Sequence, residues 1–120
     1  MKPKIKKTEF GYITVGGETY EHDVLIRLDG AVKKRKKKLS KEVYGTSHTL
    51  SLPEAEFIYE DGADKVIIGS GQDGILALSP EAQKFFADHA CQVELLPTPN
   101  AIERWNDEDG AIIGLFHVTC

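Results

Sequence analysis

The sequence predicts an α/β fold. An N-terminal antiparallel β-meander is followed by a β-α-β-α-β run, and the whole forms one compact domain over residues 1–120. Three observations predict it. Gly16-Gly17 and Asp29-Gly30 are turn signals that separate short apolar runs in the first 38 residues. From Lys65 to Val118, short apolar runs alternate with capped helical patterns. The length of 120 residues, with 41% hydrophobic and 28% charged side chains, suits one ordinary globular domain with a single core.

The elements follow in order. Phe10 to Val15 reads as a strand, and Glu18 to Tyr20 returns after the Gly16-Gly17 turn. Asp23 to Leu28 is a second β run with a continuous apolar centre, and Ala31 onward is its hairpin partner. Residues 39–50 carry Ser, Gly and Thr with little periodicity and read as a loop. Ser51, Pro53 and Glu54 then form an S-x-x-E capping box at the start of a short helix that should end near Asp61-Gly62. Lys65 to Ile68 is a short buried strand bounded by Gly69. Ser79-Pro80-Glu81 starts the next helix, whose buried face is marked by Ala82, Phe85, Phe86 and His89. Gln92 to Leu96 is a strand, and Thr98-Pro99 starts a helix with Ala101, Ile102 and Trp105 turned inward. Ala111 to Val118 is nearly all apolar, so it is buried on both faces. This order calls for a central mixed sheet with a parallel core and flanking helices as crossovers.

The net charge of −4 hides a split. Residues 1–41 hold 12 Lys/Arg and 5 Asp/Glu; residues 42–120 hold 3 and 14. The centre of the positive half is Lys33-Lys34-Arg35-Lys36-Lys37-Lys38. Such a run is either a solvated edge that blocks unwanted strand pairing or a surface for an acidic partner. Acids of the second half could also offset it within the fold. No aromatic interleaves it, so a base-stacking surface for nucleic acid is disfavoured. Met1–Lys7 lacks the apolar stretch of a signal peptide, and no apolar run nears the ~18 residues of a membrane span. A cytoplasmic protein is therefore expected, with no membrane contact; Cys91 and Cys120 are too few for a disulfide scaffold and are either free, as thiols in that compartment usually are, or joined in a single bridge.

Six segments in order carry a family resemblance. They are Phe10–Ile13, Tyr20–Val24, Gly45–His48, Ile68–Gly74, Leu96–Ala101 and Leu115–Cys120. Together they resemble the Mth-type domain of unknown function. That domain occurs in the vertebrate adipogenesis-associated domain protein and in a mitochondrial complex I assembly factor. The resemblance implies a compact α/β domain around a mixed sheet whose last strand runs antiparallel to its neighbours. It also implies work through protein partners, in assembly or regulation, and it supplies no catalytic residues. This chain has no mitochondrial targeting stretch, so the complex I role does not carry over.

Several residues are candidate sites. Gly69, Ser70, Gly71, Gln72, Asp73 and Gly74 fit G-x-G-x-x-G after a strand, but Ile75-Leu76-Ala77-Leu78 follows where a dinucleotide fold needs a helix. The loop is a glycine-requiring turn or a pocket for a small anion or nucleotide, with Ser70 and Gln72 as its polar contacts and His48 and Arg35 at its border. Ser47-His48 is a turn or capping pair rather than a dyad, since adjacent side chains seldom face each other. His89, Cys91, His117 and Cys120 are metal-ligand types, but the spacings are atypical for zinc and no metal is expected. Asp107-Glu108-Asp109 reads as a solvated turn.

The leading expectation is a non-enzymatic interaction or assembly module that binds a protein partner through Lys33, Lys34, Lys36, Lys37 and Lys38. The split charge also allows a homodimer. The alternative is a small-ligand protein or enzyme with its pocket at Gly69–Gly74. No cofactor is implied.

Overall fold

The computed structural model describes residues 2–119. Strands β1 (Ile5–Glu9), β2 (Tyr12–Val15) and β3 (Glu18–Tyr20) form a small antiparallel sheet in that order. Strands β4 (Val24–Ile26) and β5 (Val32–Lys34) belong to the central sheet instead. The expected single meander is therefore two pieces. Its break falls at His22-Asp23, where the chain crosses between sheets and Asp23 is captured in the interior. The strand expected over Phe10–Val15 is β2, with Phe10 and Gly11 in the turn before it, and β1 is a strand that was not expected: its lysines face solvent while Ile5 is buried.

The central sheet has the order β5-β4-β10-β7-β9, with β7 at Lys65–Ser70, β9 at Gln92–Leu96 and β10 at Ile112–His117. β7 pairs in parallel with both β9 and β10, while β4 pairs antiparallel with β10 and β5. The sheet is mixed with a parallel core, as expected. The last strand is antiparallel only to β4; on its other side it runs parallel to β7. The reason is the connection: helix α4 (Thr98–Asp107) carries the chain from the end of β9 back to the end where β7 and β9 begin.

Helices α2 (Leu52–Ile58) and α3 (Pro80–Asp88) cover one face of this sheet. Ala55, Ile58, Ala82 and Phe86 pack there on Leu25, Val66, Ile68, Ile113 and Leu115. α4 and the small sheet cover the other face, where Trp105, Ile102, Ile13 and Val15 meet Val24, Ile26, Ile67 and Phe116. The interior is thus two clusters divided by one sheet. The accessible surface is 6138 Å², near the ~6,500 Å² expected of a folded chain of this mass.

Residues 39–50 are not a loop throughout. Helix α1 (Lys38–Tyr44) ends at Gly45, which takes φ 72° and donates its N–H to Lys41 O. Strand β6 (Thr49–Leu50) then pairs in parallel with β8 (Ala77–Leu78). α2 stops at Ile58, earlier than expected, because Tyr59 has already left the helical conformation. α3 starts as expected: Ala82 N–H donates to Ser79 Oγ, and Pro80 and Glu81 fill the first turn. His89, expected on its buried face, is exposed and packs on Phe85 and Tyr59. Among the described residues, no helix is long and apolar enough to cross a membrane.

Candidate functional site

The carboxyl ends of β7 and β10 meet the start of β4 and the end of β5. Ser70 registers with His117, and one step past the paired residues His117 lies beside Asp23 and Asp23 beside Arg35. Registered residues of adjacent strands share a face, so Arg35, Asp23, His117 and Ser70 form a row across four strands. All four are buried, on the face covered by α2 and α3.

The row is tied together by charge. His117 Nδ1 lies 2.7 Å from Asp23 Oδ2, while Asp23 Oδ1 accepts from Val118 N–H at 2.9 Å. Arg35 Nη1 donates to Asp23 Oδ2 at 3.0 Å. Its Nε and Nη2 donate to Glu54 at 2.6 and 3.0 Å, and Nη2 also reaches Ser47 O at 2.8 Å. Ser40 Oγ donates to Glu54 Oε1 and itself accepts from Ser51 N–H. Among the described residues, no fully buried side-chain nitrogen or oxygen lacks a partner.

This network explains a departure at α2. Ser51 Oγ accepts from Glu54 N–H, which is half of the expected capping box. The Glu54 carboxylate does not return to Ser51 N–H; it goes to Arg35 and Ser40, and Ser40 takes the vacated donor. Burial alone would raise the Asp23 pKa. Its bonds to His117 and Val118 N–H and the charge of Arg35 outweigh that and hold it at about 2. For Arg35, burial opposes the charge, but Glu54 and Asp23 outweigh it and hold the pKa above the ordinary value.

Asp23 therefore anchors one ring nitrogen of His117. The other, Nε2, lies 3.5 Å from Thr119 Oγ1, and the ring meets His48 edge-on at 5.6 Å between centroids. A carboxylate on one side of an imidazole orients it for proton transfer on the other. The arrangement places His48, Arg35 and Ser70, all expected at a site, at one end of the sheet. Arg35 is fully engaged by protein groups. Gln72 Nε2 donates to Thr8 Oγ1 at 3.1 Å.

Gly69 and Ser70 are part of β7 rather than of the loop. Gly71 and Gly74 take φ 105° and 71°, which explains those glycines. Gly69 serves close approach: a Cβ there would lie 2.7 Å from Thr98 Oγ1. Strand β8, not a helix, follows the loop, so the dinucleotide context is missing as expected.

The sequence did not single out Asp23 as a site residue, it marked Glu54 only as a helix-capping residue, and it weighed His117 as a metal-ligand type. One signal was present: Asp23 and His117 each bound an all-apolar buried strand, where a polar residue needs a partner. Among the described residues, no group of three His, Cys, Asp or Glu is placed to hold a metal ion. His117 is committed to Asp23, His89 is exposed, Cys91 is buried, and Cys120 lies outside the described residues. Burial and the charge of Asp64 push the Cys91 thiol up to about 11, which makes it unreactive.

The basic run covers β5 and the turn into α1. Lys33, Lys34, Lys36, Lys37 and Lys38 are exposed, while Arg35 alone turns inward. None of these five lysines forms an ion pair among the described residues. Lys36 Nζ lies 4.9 Å from the centre of the Phe57 ring, so an aromatic joins the patch through the fold although none interleaves the run.

Comparison with known proteins places this geometry in a family. The profile of a protein family of unknown function (DUF498/DUF598) matches residues 5–108. The chain belongs to this family. A conserved hypothetical protein from Pyrococcus horikoshii, PH1505, shares 32% identity over 98% of this chain and 99% of its own, with a TM-score of 0.88. A solved structure called MT938 shares 33% identity over 99% and 100%, with a TM-score of 0.83. A Mth938-like domain from Bordetella pertussis has the same fold at 16% identity, covering 97% of this chain and 85% of its own, with a TM-score of 0.64. No curated protein matches the chain at a significant level. The family resemblance read from the six segments is confirmed as membership of a Mth938-type domain family, and that family brings no assigned reaction.

Proposed function

We propose that this DUF498/DUF598 family member is a cytoplasmic interaction module, with an assembly or regulatory role, that docks an acidic protein surface on its β5 edge. One observation carries the reading: Lys33, Lys34, Lys36, Lys37 and Lys38 are exposed and unpaired among the described residues, although the rest of the chain is rich in acids. A fold that offset its basic run internally would have turned those acids toward it. A patch left open gives an acidic partner long-range attraction and orientation. The test is capture from native lysate with wild type and with a variant carrying Lys→Glu at these five positions. A partner held by wild type and lost by a variant of unchanged thermal stability supports the module. Equal capture by both overturns the assignment of the surface.

A second reading, a small-ligand site, is favoured by the juxtaposition of Ser70, His117 and His48 beside the Gly71–Gly74 loop. Arg35 offers an anion little, since Asp23 and Glu54 already neutralise it. Titration with phosphate and nucleotides tests it; the amide signals of Ser70, Gly71, Gln72 and Gly74 should move, and unmoved signals remove it.

A further inference from the structure

The central sheet has two edges, and they are built differently. β5 carries Lys33 and Lys34 in solvent, a usual guard against strand addition. β9 carries no such guard. Its sequence, Gln92-Val93-Glu94-Leu95-Leu96, has no lysine and no proline. Its one charge, Glu94, is held by Lys65 and Arg104 at 3.0 and 2.8 Å. Leu95 is 39% exposed, which is unusual for a large apolar residue at a sheet edge.

The main chain of β9 is open as well. Gln92 N–H donates to Asp64 O at 3.0 Å, toward the β7 side. Peptide groups alternate along a strand, so those of Val93 and Leu95 point away from β7. They have no hydrogen-bond partner among the described residues. Beside them runs a groove of about 640 Å³ between β8, α3 and β9. Leu78, Ala87, Ala90, Val93 and Leu95 form much of its wall, and no lining residue is charged.

We propose that this groove takes an extended, uncharged segment of a partner polypeptide, which joins β9 as a further strand of the central sheet. The open N–H and C=O groups of Val93 and Leu95 ask for main-chain partners, which a small apolar molecule lacks. The neutral lining matches a neutral occupant, because a charge buried there would go uncompensated. A second copy fits less well. Symmetric pairing of β9 with itself sets Glu94 against Glu94 of the other copy, on one face of the joined sheet. A β9 of five residues spans about 17 Å, so the matching segment is similarly short. The site is independent of the lysine surface on the opposite edge.

The probe is a pool of capped heptapeptides built only from Val, Ile, Leu, Thr and Ser, added to the full chain at about 1 mM. The Val93 and Leu95 amide signals should shift saturably, and their hydrogen exchange should slow about tenfold. The same pool N-methylated at alternate residues should do neither. Leu95→Lys, at an exposed position, should weaken binding about tenfold with thermal stability unchanged. The five-lysine Lys→Glu variant should bind the pool as wild type does. No shift at Val93 and Leu95, or equal binding of the N-methylated pool, overturns the proposal. So does sedimentation that shows a dimer whose interface protects β9 before any peptide is added.

Discussion

Asp23 concentrates the polar chemistry of this chain in one carboxylate. It meets His117, Val118 N–H and Arg35 within 3.0 Å while only 7% exposed. Its pKa of about 2 lies below the ordinary value of 3.8, so folding favours the ionised form. The sign follows from linkage: the stabilisation is fully present above pH 4 and is lost as pH falls toward 2. At ~1.4 kcal/mol per pKa unit, this one group contributes about 2 kcal/mol. Urea unfolding of wild type at pH 7 and at pH 2.5 should show that loss on top of the general acid effect. Asp23→Asn should be about 2 kcal/mol less stable at pH 7, with a smaller fall between the two pH values. An equal fall in both proteins would place the acid sensitivity elsewhere. These contacts could not be read from the sequence, because the Arg35–Asp23, Arg35–Glu54 and His117–Asp23 pairs span separations of 12, 19 and 94 residues. The buried arginine was also hidden inside a run that otherwise faces water.

At the scale of elements, what the sequence revealed were the local signals. The starts of α2 and α3 were legible because a serine that accepts from the amide N–H three residues on needs no tertiary contact. α1 was not: it has no side-chain cap, no acid in its first turn, and only Ser40 buried. The direction of β10 relative to β7 depends on where α4 returns, which no residue pattern states. Gly69 shows the same limit. It read as loop, yet it lies in β7 because Thr98, at the start of α4, packs against it. A Cβ at this position would meet Thr98 Oγ1 at 2.7 Å, and Thr98 Cα and Phe116 Cδ1 at 3.1 Å. Thr98 Oγ1 is not free to retreat, since it donates to His117 O at 2.6 Å and accepts from Gly71 N–H at 2.9 Å. Gly69→Ala should therefore cost about 1–3 kcal/mol, as overpacking does. Chemical denaturation should show a lower midpoint with an unchanged slope. A loss of under about 0.5 kcal/mol would mean that the start of α4 shifts without resistance.

Over the whole molecule, charge is distributed as two fields rather than as matched pairs. The first 41 residues carry 12 basic and 5 acidic groups, the remainder 3 and 14. Arg27–Glu60 and Arg35–Glu54 cross between these halves, but the five exposed lysines join no pair among the described residues. Like charges on each field repel, and their repulsion acts through solvent, where salt screens it. Raising salt from ~0.01 to ~0.3 M shortens the screening length from roughly 30 Å to under about 10 Å. The buried Arg35 pairs feel little of this, being only 1% exposed at the arginine. Wild type should therefore gain thermal stability with NaCl, by about 2–5 °C for each ~1 kcal/mol of repulsion relieved. Lys→Gln at positions 33, 34, 36, 37 and 38 separates the two sources. A smaller rise in that variant would put the strain in the basic edge, held open for a partner at a cost to the free protein. An undiminished rise would put it in the acidic half. A fall in wild-type stability with salt would mean that attraction between the halves holds the fold, and the lysine surface would then be serving the interior rather than a partner.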